Sequence, residues 1–168
     1  ASSLRNFITA SPTTFDWSQM GNANTDEVAQ LMFYCGASVK MDYTPLTSGA
    51  SFSELSSALV RYFGYDPSLR RMLRTYYGID EWEETVYAEL AEKRPVFYAG
   101  QTYADQGHAF ICDGYDGEGL FHINWGWGGF CDGYFLLSAC DAESGGTGGA
   151  SSSSGYSLDQ EIVVGIKP

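Results

Sequence analysis

Residues 107–129 read GHAFICDGYDGEGLFHINWGWGG, and the fold is decided there. Two runs rich in aromatic and β-branched residues, 109–112 and 120–125, flank Tyr115-Asp116-Gly117-Glu118-Gly119. Those five residues are strong turn formers, so the runs are predicted to pair as antiparallel strands of a hairpin. Antiparallel pairing across that turn carries the segment around Asn124 back beside His108.

A lone histidine at the start of an apolar strand is usually a structural residue, and the glycine before it alters that balance. Without a side chain, Gly107 lets another backbone come close to the imidazole of His108. The Asn124 carboxamide is placed to accept the imidazole N–H, which fixes tautomer and orientation as a nucleophile-activating base requires. Trp125 then covers that hydrogen bond. The plain alternative for NWGWGG is a packed corner, since tryptophan is a common core residue. Glycines flanking large aromatics shape a groove rather than fill one, which favours a site. A phosphate cradle has no support, because no GxxxxGK[ST] pattern is present. His122 has no obvious partner and reads as structural.

Outward from the hairpin, further short strands are expected at 96–98, 133–137 and 161–166, each bounded by turn residues. The half before Pro95 reads as helices. One begins after Asn24 or Thr25, carries Val28, Leu31, Met32 and Cys35 at helical spacing, and ends at or near Gly36. Ser51 with Glu54 forms a capping-box pattern ahead of Leu55, Ala58, Leu59, Tyr62 and Phe63, and Gly64 closes that helix. Asp66-Pro67 predicts a short basic helix holding Arg70, Arg71 and Arg74. Asp80 and Glu83 repeat the capping pattern for a helix carrying Trp82, Val86 and Leu90. Helices first and an antiparallel sheet or open barrel second is an α+β layout. Residues 144–155, SGGTGGASSSSG, read as a flexible surface loop longer than a hairpin needs, and long loops in compact domains are often functional.

At 168 residues with 44% hydrophobic content the chain is one domain's worth. A net charge of −12 repels polyanions, so nucleic acid is not an expected partner. The densest acidic group, Asp80, Glu81, Glu83 and Glu84, reads as a solvated helix face. No apolar run approaches the roughly 20 residues needed to span a bilayer. The first residues lack a signal-peptide pattern, as a processed or truncated start would. Cys35, Cys112, Cys131 and Cys140 form no CxxC pair and only two histidines accompany them, so structural zinc is not expected. Cys112 reads as a buried free thiol, and Cys131 and Cys140 are the pair to consider in an oxidising compartment.

The stretch GHAFICDGYDGEGLFHINWGWGGFCDGYFLL, with VKMDYTP before it and VVGIKP after it, resembles the histidine-containing region of the streptopain family of papain-like bacterial cysteine peptidases. The likeness runs from about Phe15 to Pro168. It implies a papain-like α+β fold and a secreted or cell-surface endopeptidase made as a zymogen, acting on peptides and proteins without cofactor or metal. On that resemblance His108 is the base, Asn124 orients it, Trp125 shields the pair and Trp127 lines the neighbouring wall. Gly107 belongs to the substrate cleft. The loop from Gly145 to Gly155 corresponds to a mobile loop near the active site, with Gly146, Gly148 and Gly149 on the substrate, and Thr47 to Ser51 holds further substrate contacts. The family's nucleophile and its oxyanion glutamine lie upstream of the matched region, so the central nucleophile helix is missing from this chain. Cys35 falls within an amphipathic helix and is not expected to replace it. The whole chain is then the C-terminal, His-bearing part of one peptidase domain. Its expected partners are an N-terminal fragment carrying the cysteine and a propeptide inhibitor, and apolar residues meant to cover the missing helix predict marginal stability or a dimer. The alternative is a catalytically inactive peptide-binding module of the same fold.

Overall fold

The computed structural model describes residues 14–21, 25–144 and 154–168, so Gly146, Gly148 and Gly149 lie outside the described residues. The chain divides into two compact units, 1–64 and 65–168.

In the first unit, α1 spans Asp26–Ser38. The Thr25 hydroxyl accepts from the Val28 amide at 3.3 Å, and Asp26 and Glu27 place negative charge in the first turn, where free N–H groups favour it. Gly36 lies two residues short of the end rather than terminating the helix. Its bare Cα has another use: a Cβ there would stand 1.8 Å from the Tyr43 hydroxyl, so a larger residue would make the Tyr43 ring shift. The hairpin of β1 (Asp42–Tyr43) and β2 (Ser48–Gly49) follows, closed by the Thr44 amide on the Thr47 carbonyl at 2.9 Å.

The next helix, α2, runs Ser53–Phe63 and ends on Gly64 at φ 75, the left-handed position expected of it. Its predicted capping box does not form. The Ser51 hydroxyl meets that of Ser53, and the Glu54 carboxylate pairs with Lys40 instead of turning back on the chain, because a cation within reach outcompetes a local amide. Among the described residues of this unit, Tyr34 and Ala58 are the buried hydrophobics, while Met32, Phe33 and Leu46 are exposed.

The second unit is an open, antiparallel six-stranded sheet with one helix. Its members are β3 (Arg70–Leu73), α3 (Ile79–Ala91), β4 (Val96–Gln101), β5 (Gly107–Tyr115), β6 (Phe121–Asn124), β7 (Gly133–Phe135) and β8 (Leu158–Val164). The strand order is β3-β8-β4-β5-β6-β7. The basic helix expected to hold Arg70, Arg71 and Arg74 is a strand through Leu73, and Arg74 opens a 3-10 turn. Asp66 does cap the Ser68 amide at 2.7 Å, but the chain then extends, burying Met72 opposite Ile162 and pairing Arg71 with Glu161 of β8. A ladder with a strand some 90 residues away overrides local propensity, which is weak over so short a run. Helix α3 forms where expected, with Gly78 rather than a polar side chain at its cap, leaving Asp80 and Glu81 to act through the helix dipole.

The core lies in this unit. Trp82 and Val86 of α3 pack with Val96 and Tyr98, Phe110 and Cys112, Phe121 and Ile123, Phe135, and Ile162 and Val164. Trp82 and Tyr98 are fully buried, and each finds a partner: the indole N–H donates to the Tyr98 hydroxyl at 2.8 Å. Among the described residues no helix is long and apolar enough to cross a membrane.

Candidate active site

Side chains alternate along a strand, so His108 shares a face of β5 with Phe110 and Cys112. The latter two are buried and His108 is half-buried, which places the imidazole where the core row reaches solvent. Across the ladder Tyr98 pairs with Phe110 and Gly100 with His108.

Four rings surround the imidazole. Trp127 is nearest at 4.8 Å between centroids, then Tyr156 at 5.4 Å, Phe110 at 6.1 Å and Trp125 at 6.3 Å. Nε2 lies 2.9 Å from the Trp125 carbonyl oxygen. A carbonyl only accepts, so Nε2 carries the proton and, in the neutral ring, Nδ1 keeps its lone pair. Nδ1 has no hydrogen bond to a described residue. The imidazole is therefore anchored by one nitrogen and available to chemistry at the other.

Trp125 is rigid enough to serve as that anchor. It is fully buried; its amide donates to Asp132 Oδ1 at 2.9 Å and its indole N–H to the Cys131 carbonyl at 3.0 Å. Trp127 stacks on it at 5.6 Å and 18° with part of its ring exposed, forming a wall open to solvent. Asn124 takes a different place from the one expected. It faces Ile111 across the ladder, and its Oδ1 accepts from the Gly126 amide at 2.9 Å, closing a turn around Trp125. The hydrogen bond foreseen from Asn124 to the imidazole is made by the neighbouring carbonyl instead.

The space beside Gly107 is open, a Cβ there meeting only Gln101 at 4.0 Å. The close backbone approach anticipated there occurs at Gly100, where a Cβ would lie 2.3 Å from the Tyr156 carbonyl oxygen. Gly100 and Tyr156 are the site residues that sequence reading missed. A lone glycine inside an otherwise apolar strand was the available signal. His122 also has a partner after all: a register shift after Cys112 brings Asp113 to 2.6 Å from its Nδ1.

Three of the four thiols do not suit nucleophilic work. Burial pushes Cys112 up to about 12, raises Cys140 further, and raises half-buried Cys35. All four cysteines are free. Among the described residues no three His, Cys, Asp or Glu side chains gather as a metal-binding group.

The Peptidase C10 family model matches residues 3–135. The chain belongs to the Peptidase C10 family. This C10 sequence is 42% identical over 163 residues to the thiol protease/hemagglutinin PrtT of Porphyromonas gingivalis, covering 92% of the chain and 18% of that protein. It is 36% identical over 170 residues to streptopain of Streptococcus pyogenes, covering 96% and 42% respectively. The chain thus spans less than half the length of these two relatives. Among solved structures, active wild-type interpain A cysteine protease of Prevotella intermedia superposes with a TM-score of 0.80 at 31% identity, over 94% of this chain and 66% of that one. A prointerpain A fragment from the same organism, a cysteine-to-alanine mutant, superposes with a TM-score of 0.71 at 31% identity, over 94% and 50%. The streptopain-type, papain-like α+β fold expected from the sequence is therefore the fold of this C10 member, with an open rather than a closed sheet.

Proposed function

We propose that this chain supplies the histidine side of a cysteine endopeptidase site, with His108 as base and acid and the nucleophilic cysteine on a segment outside these 168 residues. The observation that carries the reading is the imidazole itself, tied through Nε2 to the Trp125 carbonyl, walled by aromatic rings, and unengaged at Nδ1. A thiol delivered to Nδ1 gives up its proton to form the thiolate–imidazolium pair, whose opposite charges stabilise each other at neutral pH. The thiolate attacks the peptide carbonyl, Nδ1–H then protonates the leaving amine, and water, deprotonated by the same nitrogen, releases the acyl group. Asn124 is a positioning residue in this scheme: by holding the Gly126 amide it sets the direction of the Trp125 carbonyl. Trp125 excludes water from the anchor, while Trp127, Gly107 and the stretch with Gly146, Gly148 and Gly149 border the substrate.

The raised thiols of Cys35, Cys112 and Cys140 support a nucleophile other than these three. At about 12, Cys112 is ionised in roughly one molecule in 10⁵ at pH 7. The exposed apolar residues of the first unit, Met32, Phe33 and Leu46, suit a protein that has more chain to pack on them. The family match spans both units, which supports one peptidase domain. The bacterial thiol protease relatives support a bacterial enzyme acting on proteins, the prointerpain neighbour supports a pro-form, and export and an inhibitory propeptide are what the family resemblance implies.

The test uses the full-length protein treated with an epoxide inhibitor of thiol peptidases. The label is expected on a cysteine outside these residues, with His108→Ala lowering kcat/KM at least 10²-fold and abolishing labelling. Labelling of Cys35 or Cys131, or full turnover by His108→Ala, overturns the reading; peptide binding without any turnover makes the site a recognition module.

A further inference from the structure

Resting on that reading of His108, we propose that Tyr156 is a positioning residue for the imidazole, held in place through its backbone by the buried amide of Gln160.

The rings around His108 come from three segments of the chain. Phe110 and Trp125 belong to the core, and Trp127 follows β6. Tyr156 precedes β8, which flanks β4 on the side away from β5. Tyr156 lies 5.4 Å from the imidazole, 5.5 Å from Trp125 and 6.1 Å from Phe110, and it makes no ring contact with Trp127. Trp127 and Tyr156 therefore bound the imidazole from different sides. A ring pinned by one hydrogen bond at Nε2 can still swing about that bond, and a wall on each side restricts the swing that would re-aim Nδ1.

The backbone at Tyr156 is held firmly. Its amide donates to the Cys140 carbonyl at 3.0 Å. The carboxamide N–H groups of Gln160, a residue only 3% exposed, donate to the Tyr156 carbonyl at 3.0 Å and the Leu137 carbonyl at 2.7 Å. The orientation of that amide is not free. Tyr98 accepts from Trp82 and so donates its hydroxyl to Gln160 Oε1, at 3.0 Å. Trp82, Tyr98 and Gln160 thus form a satisfied polar chain ending on Tyr156, and such chains rigidify what they touch. Two glycines give the segment room: Gly100 under the Tyr156 carbonyl, and Gly155, where a Cβ would lie 2.4 Å from the Ala139 carbonyl oxygen.

The ring rather than the hydroxyl does this work. The Tyr156 hydroxyl has no hydrogen bond to a described residue, and burial, with Glu143 nearby, holds the phenol in its neutral form.

Tyr156→Phe, Tyr156→Ala and Gln160→Met in the full-length protein test the inference, with kcat and KM read separately and the His108 ring titration followed by NMR, assigned with His108→Ala. Tyr156→Phe should match wild type in all three. Tyr156→Ala should lower kcat on the order of 10-fold, leave KM within about twofold, and shift and broaden the His108 ring signals. Gln160→Met should reproduce that split with Tyr156 intact. An unchanged kcat and unchanged His108 signals in Tyr156→Ala overturn the inference, as does a Phe variant as impaired as the Ala one. Should the wild-type protein show no turnover, the peptidase reading fails, while the His108 signals still decide the role of Tyr156.

Discussion

Gly100→Ala adds a single methyl group where β4 runs beneath the Tyr156 carbonyl. The new Cβ would sit 2.3 Å from that oxygen and 3.1 Å from both its carbon and the Tyr156 Cβ, whereas ordinary contact begins near 3.4 Å. The two segments must separate by about 1 Å. They cannot do so freely, because Gly100 is paired with His108 on one side and Tyr156 is fixed by Cys140 and Gln160 on the other. Overpacking of this kind costs about 1–3 kcal/mol, which lowers Tm by roughly 2–4 °C for each kcal/mol in a protein of this size. A shift of that size at a wall of the imidazole lowers kcat/KM by up to about 10²-fold. Thermal unfolding and peptide turnover of the full-length variant measure the two effects separately. A variant with unchanged Tm and unchanged kcat/KM would refute the claim that this glycine sets the distance between strand and ring.

Acid should expose the Glu89 clamp. Burial pushes this carboxyl up, but hydrogen bonds from Arg94 and from the Gly165 amide, with the charge of Arg94 and Arg70, outweigh burial and leave its pKa below the usual value of 4.5. Its stabilising effect is present above that value and fades as pH falls through the lowered one, so Glu89→Gln should reduce Tm at pH 7 and the gap should narrow as pH falls below 4.5; a gap independent of pH sinks the assignment. Cys112 and Cys140, buried and raised, should resist iodoacetamide in the native protein and react only after denaturation, as mass spectrometry of the modified peptides will show. Hydrogen exchange should release the amides of α1 and α2 well before those of β4, β5 and β8, since the first unit buries few hydrophobics among its described residues; equal protection would contradict this.

Where one local pattern was enough, the sequence was readable. The 107–129 hairpin, the helix around Trp82 and Val86, and the closing role of Gly64 follow from period, turn chemistry and left-handed glycine geometry, and the structure has all three. Where a residue's partner is distant, reading failed. Arg70 to Leu73 extends because β8 lies beside it, and Glu54 leaves its capping box because Lys40 is near. The same limit applied at the site. The imidazole sat where spacing predicted, yet its Nε2–H donates to the backbone carbonyl of Trp125, which carries no side-chain signature. Gly100 carried a local signal as a lone glycine in a strand, but its partner Tyr156 did not, because their meeting depends on a strand order that no local pattern encodes.

That strand order also bears on when the molecule can mature. β8 lies between β3 and β4, strands whose residues are made some 60 to 90 positions earlier. While the ribosome is still translating residues 158–164, the sheet lacks the strand next to its edge, and β3 has no neighbour among the described strands. Such non-local closure is slow and comes late. The wall that Tyr156 gives His108 is put in place by the same event. A nascent chain therefore carries its histidine for about 50 residues of synthesis without the surroundings that would aim it, and the insertion of one strand completes the sheet and sets one wall of the imidazole.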